Sequence, residues 1–106
     1  MTDVPASQVP QPEACQTMTD VRTGVDALDL RIVALLAERF GYMRAAARIK
    51  PERGHVRDED RKAQVIANAR AEAERLGLPA EAIADLWDRL VEASIAYEMD
   101  AFDRKG

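Results

Sequence analysis

The sequence predicts an all-α fold in which one chain forms three helices: long, medium and long. Three observations carry this. Alanine, leucine, arginine and glutamate dominate the 106 residues, and there are only 5 glycines and 5 prolines; such a composition favours helices. Apolar residues recur at steps of four and three, and no strand-like alternation of useful length or internal repeat interrupts them. Proline and glycine cluster around Pro51–Gly54 and Gly77–Pro79, which divides the pattern into three stretches. The length fits one domain with a modest core.

Residues 1–16 carry Pro5, Pro10 and Pro12 among Ser, Gln and Thr. This reads as a disordered tail ahead of a helical domain over 17–106. Thr17 or Thr19 can cap the first helix, with Asp20 at its positive end. That helix runs from Val21 to Lys50. Its seam is Val21, Val25, Leu28, Ile32, Leu35, Tyr42, Ala46 and Ile49, spaced as in a coiled coil. About 30 residues of helix span roughly 45 Å. The rest of so short a chain does not cover that length, so part of the seam is expected to pack on a second copy. Pro51 ends the helix and Arg53-Gly54-His55 forms a loop. Asp58 caps a second helix from Glu59 to Leu76, with Val65, Ile66 and Ala69 on its apolar face. Gly77 closes it and Pro79 opens the third helix, which runs to Phe102. The third stripe is Ile83, Leu86, Trp87, Leu90, Val91, Ser94, Ile95, Glu98, Ala101 and Phe102.

Polar residues interrupt these stripes. Arg39 occupies the seam position between Leu35 and Tyr42. A guanidinium there either reaches water or meets a buried anion. Lys50 follows eleven residues later, roughly 20° from the direction of Arg39 and roughly 16 Å along the axis. Two cations on one face suit an anionic ligand held within a helical bundle. Arg22 lies roughly 100° from the Arg39 direction, so it suits the pocket of a partner chain, or a plain surface position. Ser94 and Glu98 continue the third stripe. A carboxyl there is protonated, meets a cation or ligand, or reaches water at a frayed end. Asp58 and Arg61 are three apart and can pair, as a local cap or as a lid over a ligand.

The net charge of −4 argues against a general nucleic-acid binder, although ten of the fifteen Lys and Arg fall between Arg22 and Lys62. Cys15 is the only cysteine and His55 the only histidine. An intramolecular disulfide, a Cys-rich metal site and a Ser-His-Asp triad are therefore not supported. No apolar run approaches the length of a membrane span, and no signal-peptide pattern is present. A cytoplasmic protein without membrane contact is the expectation.

The motifs fall in a familiar order. V-R-x-x-V-D-A-L-D spans Val21 to Asp29, and L-L-A-E-R spans Leu35 to Arg39. Lys50 follows, then V-R-D-E-D-R from Val56 to Arg61 and S-I-A-Y-E from Ser94 to Glu98. Each is weak alone, but over about 85 residues their order is specific. The segment from Asp20 to Gly106 resembles the all-helical chorismate mutases, including their isochorismate-pyruvate lyase relatives.

The resemblance implies an intertwined homodimer of three-helix chains with two sites. Arg22 would enter the partner's site and bind a substrate carboxylate. Arg39 would bind a carboxylate in its own site, and Lys50 the ether oxygen and a carboxylate. Asp58 and Arg61 match the segment that closes over the ring, and Ser94 a polar contact to the substrate. Glu98 matches a Gln or Glu position that donates a hydrogen bond to the ether oxygen. Lys62 stands where many bacterial mutases have a glutamate that contacts the ring hydroxyl, which leaves the choice between chorismate and isochorismate open. The form of the D-x-D-R piece favours the mutase.

The implied reaction is the intramolecular rearrangement of chorismate to prephenate, with no cofactor and no metal. The protein holds a flexible dianion compact and stabilises charge on the breaking ether oxygen. Glu98 helps only as a donor, hence only when protonated. Two other readings stand beside this one: an isochorismate-pyruvate lyase that leaves salicylate, and a helical dimer module without catalysis.

Overall fold

A computed structural model describes residues 9–105. Among the described residues there are three α-helices and no strand. Helix α1 spans Met18–Ile49, α2 spans Glu59–Arg75 and α3 spans Ala80–Arg104. Short 3-10 turns form at Pro12–Ala14 and Arg53–His55. The first lies within the predicted tail, whose residues 1–8 fall outside the described ones.

Local chemistry sets the helix ends. The Thr17 hydroxyl accepts the Asp20 backbone N–H at 3.1 Å, and the Asp20 carboxylate reaches back to the Gln16 N–H at 3.0 Å. Thr17 is thus the cap, and α1 begins three residues earlier than its seam. The Asp58 carboxylate accepts the Arg61 N–H at 3.0 Å and caps α2. Gly77 adopts φ +72°, and its N–H and that of Leu78 return to the carbonyls of Glu74 and Ala73. This double closure needs a left-handed residue, which glycine supplies without a Cβ clash. Pro79 caps α3 rather than starting it.

The chain forms two compact units, one ending at Arg39 and one beginning at Phe40, so the boundary falls within α1. In the second unit α2 packs along α3. Ala73 and Ala84 are both buried there. Their small side chains let the backbones approach closely. Val91 and, below the Arg53–His55 turn, Val56 complete a thin core. Leu86, expected on the α3 stripe, is 60 % exposed, and the buried position of that turn is Ala84. The stripe is therefore rotated toward the small residue that α2 can approach.

The first unit has no core of its own among the described residues. Val21, Val25, Leu28, Ile32 and Leu35 are exposed, as are Leu30 and Val33 on the other side of the helix. Beyond the boundary Tyr42 and Ile49 are exposed too, and Ala47 is the only buried residue of α1. No helix among the described residues is long and apolar enough to cross a membrane.

Candidate functional site

The chemistry of the second unit centres on Lys50 and Glu98. Lys50 follows the last turn of α1, where Pro51 ends the helix. Glu98 sits three-quarters of the way along α3 and is 4 % exposed. Its Oε2 accepts the Lys50 Nζ at 2.6 Å, while the Lys50 side chain keeps 30 % of its surface open. Burial makes a lone carboxylate costly, and the ammonium offsets that cost. Sequence spacing left Glu98 between a buried partner and a frayed end, and the structure gives it the partner. One member of this pair is sheltered and the other remains reachable by an anion.

Ser94 lies one turn before Glu98 and is 3 % exposed. Its hydroxyl donates to the Leu90 carbonyl at 2.7 Å, a common way for a helix to satisfy a buried hydroxyl. The aromatic pair Phe40 and Tyr97 packs with ring centroids 4.8 Å apart, and the Arg44 guanidinium donates to the Tyr97 hydroxyl at 2.6 Å. These contacts brace α1 against α3 beside the Lys50–Glu98 pair.

Lys62 faces two carboxylates of α3, Asp88 at 3.0 Å and Glu92 at 2.8 Å. Arg57 grips the same Glu92 carboxylate with two nitrogens, at 2.8 and 3.1 Å, and also reaches Glu59. The two cations hold the Glu92 carboxyl down to about 2, Arg57 first and Lys62 second, through their hydrogen bonds. Lys62 is raised above its ordinary value, chiefly by the hydrogen bond to Glu92 and then by that to Asp88. This cluster ties the start of α2 to α3. Because the Glu92 carboxyl is depressed on folding, its contribution to stability is present above pH 4.5 and is lost as pH falls toward 2. At neutral pH Glu92→Gln should lower the urea midpoint of unfolding. Circular dichroism should show that gap closing as the pH drops through this window.

Asp58 and Arg61 do not form the ion pair that their spacing allows. The Asp58 carboxylate caps the Arg61 backbone, and the Arg61 guanidinium donates to Gln64 at 2.7 Å. A cap uses the acid on backbone N–H groups, which leaves the arginine to bond along its own helix. His55 is exposed, with Glu52 at 4.0 Å. Arg22 and Arg39 belong to the first unit, Arg22 exposed and Arg39 half-buried.

The structure thus brings Lys50 and Glu98 into contact and buries Ser94 on the same helix, while Lys62 enters a separate cluster. Sequence reading missed Asp88 and Glu92 as partners of Lys62. Their four-residue spacing on α3 was the available signal, since residues four apart share a helix face. It also missed Lys105, seven residues beyond Glu98 and so on the same face of α3.

Known proteins give this geometry a context. The sequence profile described as chorismate mutase type II matches residues 21–99, which include Arg22, Arg39, Lys50, Ser94 and Glu98. An isochorismate pyruvate lyase of Pseudomonas aeruginosa is 31 % identical over 88 residues, covering 83 % of this chain and 87 % of the relative. The T-proteins of Enterobacter agglomerans and Haemophilus influenzae are 31 % and 27 % identical over 84 residues. The chain spans 22 % of the length of each T-protein. A profile match over most of the helical domain and a relative of similar length, joined to the all-helical fold, lead to one conclusion: the chain belongs to the chorismate mutase type II family.

Proposed function

We propose that this chain is a chorismate mutase that rearranges chorismate to prephenate in a site completed by a second copy. The observation that carries the reading is the sheltered Glu98 carboxyl held at 2.6 Å by the more accessible Lys50 ammonium. The family supplies the substrate class, and this pair supplies a cation and a potential donor for the ether oxygen.

In this structure the Glu98 carboxylate accepts from Lys50. A dianionic substrate offers the ammonium a competing anion. Once Lys50 turns to the substrate, the sheltered carboxyl loses its partner, and only its neutral form can donate. The neutral acid then donates to the ether oxygen as the carbon–oxygen bond breaks. Lys50 stabilises the same developing charge, which is the role of a preorganised electrostatic site. No proton leaves the substrate and no covalent intermediate forms. Arg39 is assigned one carboxylate of the substrate and the partner's copy of Arg22 the other, since guanidinium forks suit bidentate contact. Asp58 and Arg61 are assigned to the closing segment and Ser94 to a polar contact.

The homodimer belongs to the same proposal. Its support is the run of exposed apolar residues on α1, with Leu35 and Val33 each 62 % exposed. Burying such side chains is worth about 1.5–3 kcal/mol each.

The second reading is an isochorismate-pyruvate lyase using the same residues. Two observations favour it: the relative of that name, and Lys62 held by Asp88 and Glu92 at the position where many mutases carry a glutamate. Purified protein offered chorismate and isochorismate separately decides between them. Prephenate from chorismate is the expected product. Salicylate and pyruvate from isochorismate, with little prephenate, would establish the lyase instead. Turnover of neither would leave a helical dimer module.

A further inference from the structure

The last carbonyls of a helix have no donors within it. At the end of α1 this problem is sharper than usual. The donor for the Ala47 carbonyl would be the residue four places on, which is Pro51 and has no N–H. Ala47 is buried, so water does not readily replace it. The structure fills the gap from α3. Lys105 Nζ donates to the Ala47 carbonyl at 2.8 Å and to the Lys50 carbonyl at 2.7 Å. Its ammonium also sits 4.1 Å from the centroid of the Phe102 ring, which fixes its own position. A cation there complements the negative end of the α1 dipole.

The consequence concerns Lys50 as a whole residue. Helix α3 and its C-cap hold it at two points: Glu98 takes its side chain and Lys105, the residue after the helix, its backbone. The two holders are seven residues apart, two turns along one face. Only the side-chain hold is surrendered when an anion competes for the ammonium. The backbone hold persists.

We propose that Lys105 is a positioning residue, which fixes the main chain of Lys50 so that its ammonium stays in register with Glu98 throughout turnover. This rests on the mutase or lyase reading of the Lys50–Glu98 site. Lys105 touches no substrate and acts through Lys50. A displaced ammonium still attracts a dianion but no longer meets the breaking bond, so the defect falls on kcat.

The test compares wild type, Lys105→Met and Lys105→Arg on whichever of chorismate and isochorismate the wild type turns over, below the melting temperature of each variant. Lys105→Met keeps the methylene packing and removes the donor. Its kcat should fall about 10- to 100-fold, the scale of a small misplacement at a reacting centre. Its KM should stay within about threefold of wild type. Lys105→Arg, which can still donate to two carbonyls, should restore most of kcat. A merely structural residue would not produce that split or that rescue. Wild-type kcat in Lys105→Met, or loss without recovery in Lys105→Arg, would overturn the inference alone. Turnover of neither substrate by the wild type would overturn the functional reading and this inference with it.

Discussion

Lys50→Ala should reduce kcat by at least about 100-fold and up to about 1,000-fold, the range for removing one preorganised donor from a developing oxyanion. The chemistry leaves little to compensate. The proposed rearrangement has no nucleophile and no acid–base relay, so electrostatic stabilisation and confinement would supply the rate enhancement. The variant also strips the partner from Glu98, which is 4 % exposed. Breaking a buried pair on one side destabilises by about 3–5 kcal/mol. The loss here should sit below that range, since the Lys50 side chain is 30 % exposed. Stability and activity separate in a second variant. Adding Glu98→Gln to Lys50→Ala removes the orphaned charge and should recover the urea midpoint, while kcat stays low. Recovery of both would mean that Lys50 serves the fold only.

Arg22→Ala and Lys50→Ala should each be nearly inactive alone and active when mixed. If Arg22 serves the partner's site, a mixed dimer has one site with both residues intact and one with neither. Random exchange makes about half of the dimers mixed, with one good site of two in each, so the mixture should regain about a quarter of wild-type activity. Unfolding and refolding the two variants together lets the subunits exchange. The claim has a physical basis in this chain: α1 leaves Val21, Val25, Leu28, Ile32 and Leu35 exposed along the helix that carries Arg22. A mixture no more active than its components would show that Arg22 acts within its own chain or not at all.

Much of the helical layout was legible in the sequence because its punctuation is local. Thr17, Asp58, Gly77 and Pro79 act on groups within four residues, so their effect needs no tertiary knowledge. The overlong seam of α1 was legible for a similar reason, since helix length follows directly from residue count. Glu98 was visible as a misplaced carboxyl, but spacing alone did not name its partner, because the Lys50 contact depends on how α1 and α3 meet; only the family resemblance set the two at one ether oxygen. Leu86 shows the converse failure. Periodicity placed it on the stripe, but α2 approaches α3 over Ala84, where a small side chain permits contact. Asp58 and Arg61 meet as a local cap, one of the two readings their spacing allowed, through the Arg61 backbone N–H rather than its guanidinium. Lys105 went unseen because its work is on backbone carbonyls, which every sequence has and no residue pattern marks.

The central claim is that Glu98 acts as a hydrogen-bond donor beside Lys50, and the pH dependence of kcat tests it most directly. Wild type and Glu98→Gln should be compared over about pH 5 to 9 on the substrate that is turned over. A carboxyl donates only while protonated, so wild-type kcat should decline with rising pH if this donor is used. Glutamine donates at every pH, so the decline should flatten in Glu98→Gln. An identical profile in the two proteins would contradict the account, because the pH dependence would then not come from the Glu98 carboxyl.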